Sequence, residues 1–335
     1  MTAFGANSAS PISQVGTVVD ALPQKRNEFW RRISRRKINL VCLGIVFLYA
    51  LLGLSSLFPY LDGKIEEHPT ADKTYTKPSF SYVDPAGVKH IGPATWFGLD
   101  FQGRSVFWRV LYGTRVALVI TIVASIISLS IGTLLGIVAG YFGGWIDDVI
   151  TWLFSVISTV PWLLLVIAVT YALQQNMSLS DKPQGKQGVF SRDLIVVILA
   201  LGLTDWVGLC RLIRGEVIKL RDRDYIVACR AIGVSHARTI FKHILPNVFH
   251  LIIITFSLGA VGYLQVEVVL AFLGLGVTSK PSWGRMIDDA KLALLQGVWW
   301  EVTAATLAIF IICLALNILG DALRDALDPK LRGVD

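Results

Sequence analysis

Two stretches of this chain, residues 38–61 and 116–146, contain no Asp, Glu, Lys or Arg. Each exceeds the about 20 apolar residues that an α-helix needs to cross a hydrocarbon core about 30 Å thick. A chain that must place two such runs is constrained first by lipid and only then by water. Its charged residues make up 16% of the sequence, against about 25% in soluble domains, so the class to develop is an all-α integral membrane protein.

Four further runs are nearly as apolar: 149–173 with Pro161 inside, 194–210 interrupted by Asp205, 248–277 containing Glu267, and 302–320. Together they give six transmembrane helices. Direction follows from the basic residues that flank short loops. Seven Lys and Arg lie within 25–37, eight between Arg211 and Lys242, and three after the sixth run. With the N-terminus cytoplasmic, all of these fall on the cytoplasmic side of the inner membrane, and so does the C-terminus. Arg104, Arg109 and Arg115 count against the bias. They belong to "GLDFQGRSVFWRVLYGTRVAL", where Phe107, Val110, Leu111 and Thr114 share one helical face, and this reads as an interfacial helix leading into the second span. The organisation expected is a basic tail over 1–37, a first span over 38–61, a periplasmic loop with its interfacial helix over 62–115, a five-helix core over 116–320 and a tail over 321–335. No internal repeat is evident.

The N-terminal region is too polar, and its first apolar run too long, for a cleaved signal peptide. Cys42, Cys210, Cys229 and Cys313 are scattered and read as small core residues rather than as a disulfide frame or metal site. The five histidines do not cluster either, and neither cofactor nor metal is expected on the chain. The net charge of +7 reflects loop bias, not nucleic-acid binding. No G-x-x-x-x-G-K-[ST] occurs; "QGKQG" at 184–188 lacks the first glycine and the hydroxyl. Nor is there an H-E-x-x-H or a G-x-S-x-G, so the chain is not expected to be an enzyme.

The most informative stretch is "DYIVACRAIGVSHARTIFKHILPN", from Asp224 to Asn247. On a helix, Tyr225, Ala228, Cys229 and Ile232 share one face. Gly233 interrupts as a C-terminal glycine does. Ser235 is placed to cap a second helix, whose apolar face holds Ala237, Ile240, Phe241 and Ile244. Pro246 suits a helix start, where its missing N–H costs little. Two short amphipathic helices around a glycine, in the segment 221–247, fit two uses. One is a basic pair resting on anionic lipid headgroups. The other is a docking surface for a partner protein, which the small Ala228 and Cys229 beside Tyr225 would admit closely.

This stretch resembles the "EAA" loop of binding-protein-dependent ABC importer permeases. Ala228, Gly233 and Leu245-Pro246 match its spacing, while Val227 stands for its Glu and Cys229 for its second Ala. "CRLIRGEVIKLRDRDYIVACRAIGVS", "FGLDFQGRSVFWRVLYGTRVAL", "EVVLAFLGLGVTSKPSWGRMI" and "GDALRDALDPKLR" are similar, in order, to the oligopeptide, dipeptide and nickel branch of that family and to its C-type subunit. The resemblance covers roughly residues 29–333. It implies a type I ABC importer permease fold, a second permease subunit as heterodimer partner, two cytoplasmic ATPase subunits, and a periplasmic or lipid-anchored substrate-binding protein. It also implies ATP hydrolysis on the separate subunits, and a short peptide, nickel or another small solute as cargo. Carried onto this chain, Asp224, Tyr225, Ala228, Cys229, Arg230, Gly233, Leu245 and Pro246 form the ATPase-coupling loop, with Asp224, Arg223 and Arg230 as its polar rim. Scarce Met and Cys and only His250 near a span favour an organic cargo over a soft or borderline metal.

Two acids inside spans are costly and call for partners or a function. Asp205 either lines the pathway or pairs with a nearby arginine such as Arg211. Glu267 matches an acid of the family and is expected to anchor the fifth span. Pro161 should kink the third span. The glycines of "GTLLGIVAGYFGG" permit close helix contact, either within the chain or against the second permease. A different class, an autonomous channel or secondary carrier, would be expected to show paired inverted halves, and none is apparent.

Overall fold

The computed structural model describes residues 36–55, 75–83, 89–91, 93–178 and 191–327. The basic N-terminal cluster, residues 56–61 of the first run, most of the 62–95 loop, "QGKQG" and the last residues of the C-terminal tail lie outside them.

Helix α1 spans Lys37–Ser55, and a two-stranded antiparallel hairpin follows, β1 (Ser81–Val83) paired with β2 (Lys89–Ile91). Next comes α2, Val106–Phe142, 37 residues without a break. At about 1.5 Å per residue it measures about 55 Å, far more than the about 30 Å hydrocarbon core. The segment expected as an interfacial helix is therefore the first part of α2. Its arginines are not at a lipid interface: Arg109 and Arg115 are buried against protein.

The second span ends at Phe142, within "AGYFGG", because Gly143 takes φ +68° and turns the chain. Helix α3 covers Gly144–Thr159 and α4 covers Trp162–Ser178, meeting at 93°. Pro161 thus does more than kink the third span. With no N–H to donate, and with Val160 driven to extended geometry ahead of it (φ −88°, ψ 131°), it breaks the span in two. The fourth span, Arg192–Arg221, runs on as one stretch with a single turn residue, Asp205 (φ −90°, ψ −2°), between α5 (Arg192–Thr204) and α6 (Trp206–Arg221).

Helix α7 is Asp224–Ala231 and α8 is His236–Thr239. A π-helical turn, Ile240–Ile244, joins α8 without interruption to α9, Leu245–Phe272. The fifth span and the second short helix of the sequence reading are therefore one helical stretch, His236–Phe272. Pro246 stands in the first turn of α9, as expected, although the π turn makes that start continuous with α8. The wider π turn immediately before Pro246 is the local adjustment that a proline demands when it removes an i→i−4 bond. Residues 273–277, read as the end of the fifth span, follow a turn at Gly274 (φ +75°).

An amphipathic helix not anticipated from the sequence, α10, covers Trp283–Leu294, capped by Ser282 Oγ accepting from Arg285 N–H. Helix α11, Trp300–Leu327, carries the sixth span on into the region read as a tail. Among the described residues, five helical stretches are long and apolar enough to cross a membrane, and the bent α3–α4 pair makes a sixth when taken as one span. The described residues are mostly helical, as expected, with one short hairpin among them.

The core is built along α2. Near its start Val106 and Val110 pack with Trp283, Met286 and Trp300; midway Tyr112, Val116, Ile120 and Ala124 meet Leu201, Tyr263 and Val266; near its end Ile137 and Tyr141 meet Leu209, Ile213 and Val217. The glycine row of α2 serves this packing. A Cβ at Gly132, Gly136 or Gly140 would stand 2.7–2.9 Å from the backbone oxygens of Trp206, Cys210 or Arg214 on α6. Close helix contact within the chain is the use these glycines have.

Candidate functional site

Helix α7 hangs from the end of the bundle where α2 and α6 finish. One side chain anchors it. Ile226, at 0% exposure, inserts among Ile213, Val217, Ile244 and Val248. The sequence reading missed it because its i+3 and i+4 partners, Cys229 and Arg230, make no apolar stripe with it. The helix closes by a Schellman arrangement, with Val234 N–H donating to Cys229 O (3.0 Å) and Gly233 N–H to Arg230 O (3.1 Å). Gly233 has φ +78°, and nothing lies within 4 Å of where its Cβ would stand. The glycine is needed for backbone conformation, not for room. Ser235 Oγ then accepts from Arg238 N–H at 3.4 Å, opening α8 as the sequence indicated.

Tyr225, Ala228 and Ile232 are brought onto one outward face, with Cys229 half-buried beside them. Ile232 is 78% exposed, and Val227 is exposed next to this face. Asp224 lies exposed in the first turn, where its charge complements the helix dipole. Arg230 is not simply part of a rim. Its guanidinium sits over the Tyr141 ring at 5.6 Å, and it donates to Arg221 O. Tyr141 hydroxyl in turn meets His236 Nδ1 at 2.9 Å, and Asn247 Nδ2 donates to His243 O (2.6 Å) and Tyr225 Oη (3.4 Å). Leu245 is half-buried and Pro246 exposed. Leu245 lines an apolar groove of about 620 Å³ between α2 and the α8–α9 stretch, with Leu134, Phe142 and Phe241.

Several arginines of this basic region are held within the protein. Arg214 forms a two-pronged pair with Asp147 at the start of α3, its Nη2 at 2.7 Å, and Arg221 Nη1 donates to Gly140 O at 3.2 Å. Arg211 donates to Ser158 Oγ at 3.0 Å and lies over the Phe154 ring. It does not pair with Asp205. That acid instead accepts from Tyr263 hydroxyl at 2.7 Å.

Glu267 is 3% exposed, with the Ser282 side chain and Gly284 N–H facing its carboxylate. A Cβ on Gly284 would stand 3.0 Å from its Oε2. The acid is thus placed between α9 and the segment that opens α10.

At the opposite end of α2 lies a cluster that sequence reading did not find. Arg109, 2% exposed, donates from Nη1 to Asp100 Oδ2 (2.6 Å) and Glu301 Oε1 (2.7 Å), and from Nη2 to Asp289 Oδ2 (3.1 Å). Arg104 and Arg285 complete the pairing of Asp100 and Asp289. Four segments meet on this one guanidinium. Among the described residues no group of three or more His, Cys, Asp or Glu is arranged to hold a metal ion.

Residues 132–333 match the family of binding-protein-dependent transport system inner membrane components. The chain belongs to that family. It is 33% identical to the dipeptide transport system permease protein DppC of Bacillus subtilis, over 90% of this chain and 85% of that protein. It is 30% identical to the oligopeptide transport system permease protein OppC of the same organism, over 97% and 98%. It is 32% identical to the glutathione transport system permease protein GsiD of Pectobacterium atrosepticum, over 91% of each. Among solved structures, the inward-facing MetNI methionine ABC transporter contains a chain that superposes with a TM-score of 0.50 at 13% identity, covering 67% of this chain and 98% of that one. At that identity the likeness concerns the fold, which is that of an ABC importer permease. The chain is a multi-pass membrane permease of the ABC importer class.

Proposed function

We propose that the protein is the C-type permease subunit of an importer for short peptides, driven by ATP hydrolysis on separate subunits. The relatives it resembles over most of its length are named for dipeptides, oligopeptides and glutathione, which are all peptide-bonded solutes. The observation that carries the mechanism is the outward face of α7. Tyr225, Ala228 and Ile232 are exposed on a helix whose inner face is already anchored by Ile226. An apolar patch with small residues beside an aromatic, in a protein that otherwise ties its polar groups inward, fits a docking surface better than a headgroup-resting helix. Three of the arginines that would bind headgroups, Arg214, Arg221 and Arg230, are held by Asp147, Gly140 and Tyr141, while Arg223, Arg238 and Lys242 stay exposed.

In this reading α7 sits in a groove of a cytoplasmic ATPase subunit. A second permease subunit completes the pathway, and a second ATPase docks on it. A substrate-binding protein delivers peptide at the Arg109 end, and lipid covers the remaining apolar faces. ATP-driven closure moves α7. The α8–α9 stretch, continuous with the fifth span, carries that displacement across the membrane. The chain itself supplies no nucleotide site and needs no cofactor.

Peptide-dependent growth of an amino-acid auxotroph, in a strain whose other peptide importers are removed, tests the cargo. Growth lost on deletion and restored by the gene supports peptides. Growth retained, with nickel-dependent urease activity lost instead, overturns it. Orientation is tested separately. Cysteines at positions 75 and 185 should label from outside intact spheroplasts, and those at 220 and 330 should not.

A further inference from the structure

The break in the third span lies beside the turn at Asp205 in the fourth. Between them is a pocket of about 340 Å³ lined by Ser158, Pro161 and Trp162 from the break and Thr204, Asp205 and Gly208 from the turn. Non-helical backbone at membrane depth is tolerated only where protein buries it or water bathes it. Within this chain protein does not bury it: residues 158–164 are exposed throughout. The pocket is therefore open on that side, toward the face that the second permease subunit of the proposed assembly would complete.

Its polar groups are unequal. Thr204 hydroxyl is committed to Ala200 O and Leu201 O, and Ser158 Oγ accepts from Arg211. Asp205 gives one carboxylate oxygen to Tyr263 hydroxyl, and no cationic side chain pairs with it among the described residues. Trp162 supplies an aromatic wall. A lone carboxylate with an indole beside it is the chemistry that recognises an organic ammonium group. A metal ion such as Ca²⁺ would want six or more oxygens, which this pocket does not offer.

We propose that this pocket is an ammonium subsite on the transport path, with Asp205 as its charge and Tyr263 as the group that positions the carboxylate. This rests on the reading of the chain as a solute permease, and for peptide cargo the group held is the free amino terminus.

The test uses the assembled transporter in proteoliposomes, with the four native cysteines replaced by alanine and a single cysteine at Gly208, where a side chain meets nothing within 4 Å. Its reaction rates with a cationic trimethylammonium and an anionic sulfonate methanethiosulfonate are compared in each nucleotide state. The cation-to-anion ratio should fall about tenfold in Asp205→Asn, which keeps an acceptor for Tyr263 but loses the charge. It should stay within about twofold in Tyr263→Phe, which keeps the charge. Trialanine amide should protect the cysteine, and its N-acetylated form should not. A ratio indifferent to Asp205→Asn, a cysteine unreactive in every state, or equal protection by the two peptides in vesicles that take up trialanine amide would overturn the subsite. Peptide uptake is measured in the same vesicles. Its absence in the parent protein would remove the peptide reading alone, because the labelling ratio judges the subsite without it.

Discussion

The two ends of α2 are built on opposite terms. At its start, Arg109 is surrounded by Asp100, Asp289 and Glu301, all donated by the same chain, and is 2% exposed. At its end, Tyr141 supports Arg230 through a ring face, and the helix beyond presents Tyr225, Ala228 and Ile232 to the outside. The first end pairs its charges internally. The second satisfies its polar groups and leaves its apolar ones uncovered. A membrane subunit that must be rebuilt around a moving partner at one end would be expected to spend its strongest internal interactions at the other.

That contrast can be broken by substitution. Arg109→Met should have the largest effect. Removing one partner of a buried charge network costs about 3–5 kcal/mol, and thermal unfolding of the purified complex should report it. Asp100 and Asp289 keep Arg104 and Arg285, whereas Glu301 pairs with no other arginine among the described residues. Adding Glu301→Met should therefore restore more stability than adding Asp289→Asn, and equal rescue would deny Glu301 its special place. Ile226→Ala comes next, at about 3 kcal/mol for an emptied core site. Hydrogen exchange should quicken across 224–233 while 100–112 stays protected. Exchange quickening equally at both ends would mean that they are not independent. Ala228→Asp should leave the subunit folded yet weaken ATPase docking by about 2 kcal/mol, roughly thirtyfold. Import should fail, or ATP should be hydrolysed without it, and normal import would return α7 to the role of a headgroup-resting helix. Arg230→Ala should be mildest, about 0.5–1 kcal/mol for an exposed cation–π contact, visible only as faster exchange in α7.

The sequence carried whatever depended on local chemistry. Charge-free runs located the spans, because lipid permits no other reading of them. Gly233 and Ser235 marked a helix end and a helix start, because left-handed backbone and a cap oxygen are local demands. Arg109 could not be read. Asp289 and Glu301 lie 180 and 192 residues away from it, and a charge count sees only an arginine on the wrong side. Pro161 gave a kink but not the 93° break, which depends on how α3 and α4 pack separately. Helix α10 has local signals in Ser282 and the apolar spacing of Trp283, Met286, Ala290 and Ala293, but they are weaker than the two hydrophobic runs that flank it.

The π turn at Ile240–Ile244 keeps α8 and α9 in one piece from His236 to Phe272. Such a piece, about 55 Å long at about 1.5 Å per residue, behaves as a lever. Tilting it by only about five degrees about one end displaces the other by about 5 Å, roughly one helical turn. Glu267 lies close to its far end, against Gly284. Leverage of this kind lets a small angular change at α7 reopen a contact on the opposite side of the bilayer, with no helix needing to unwind on the way.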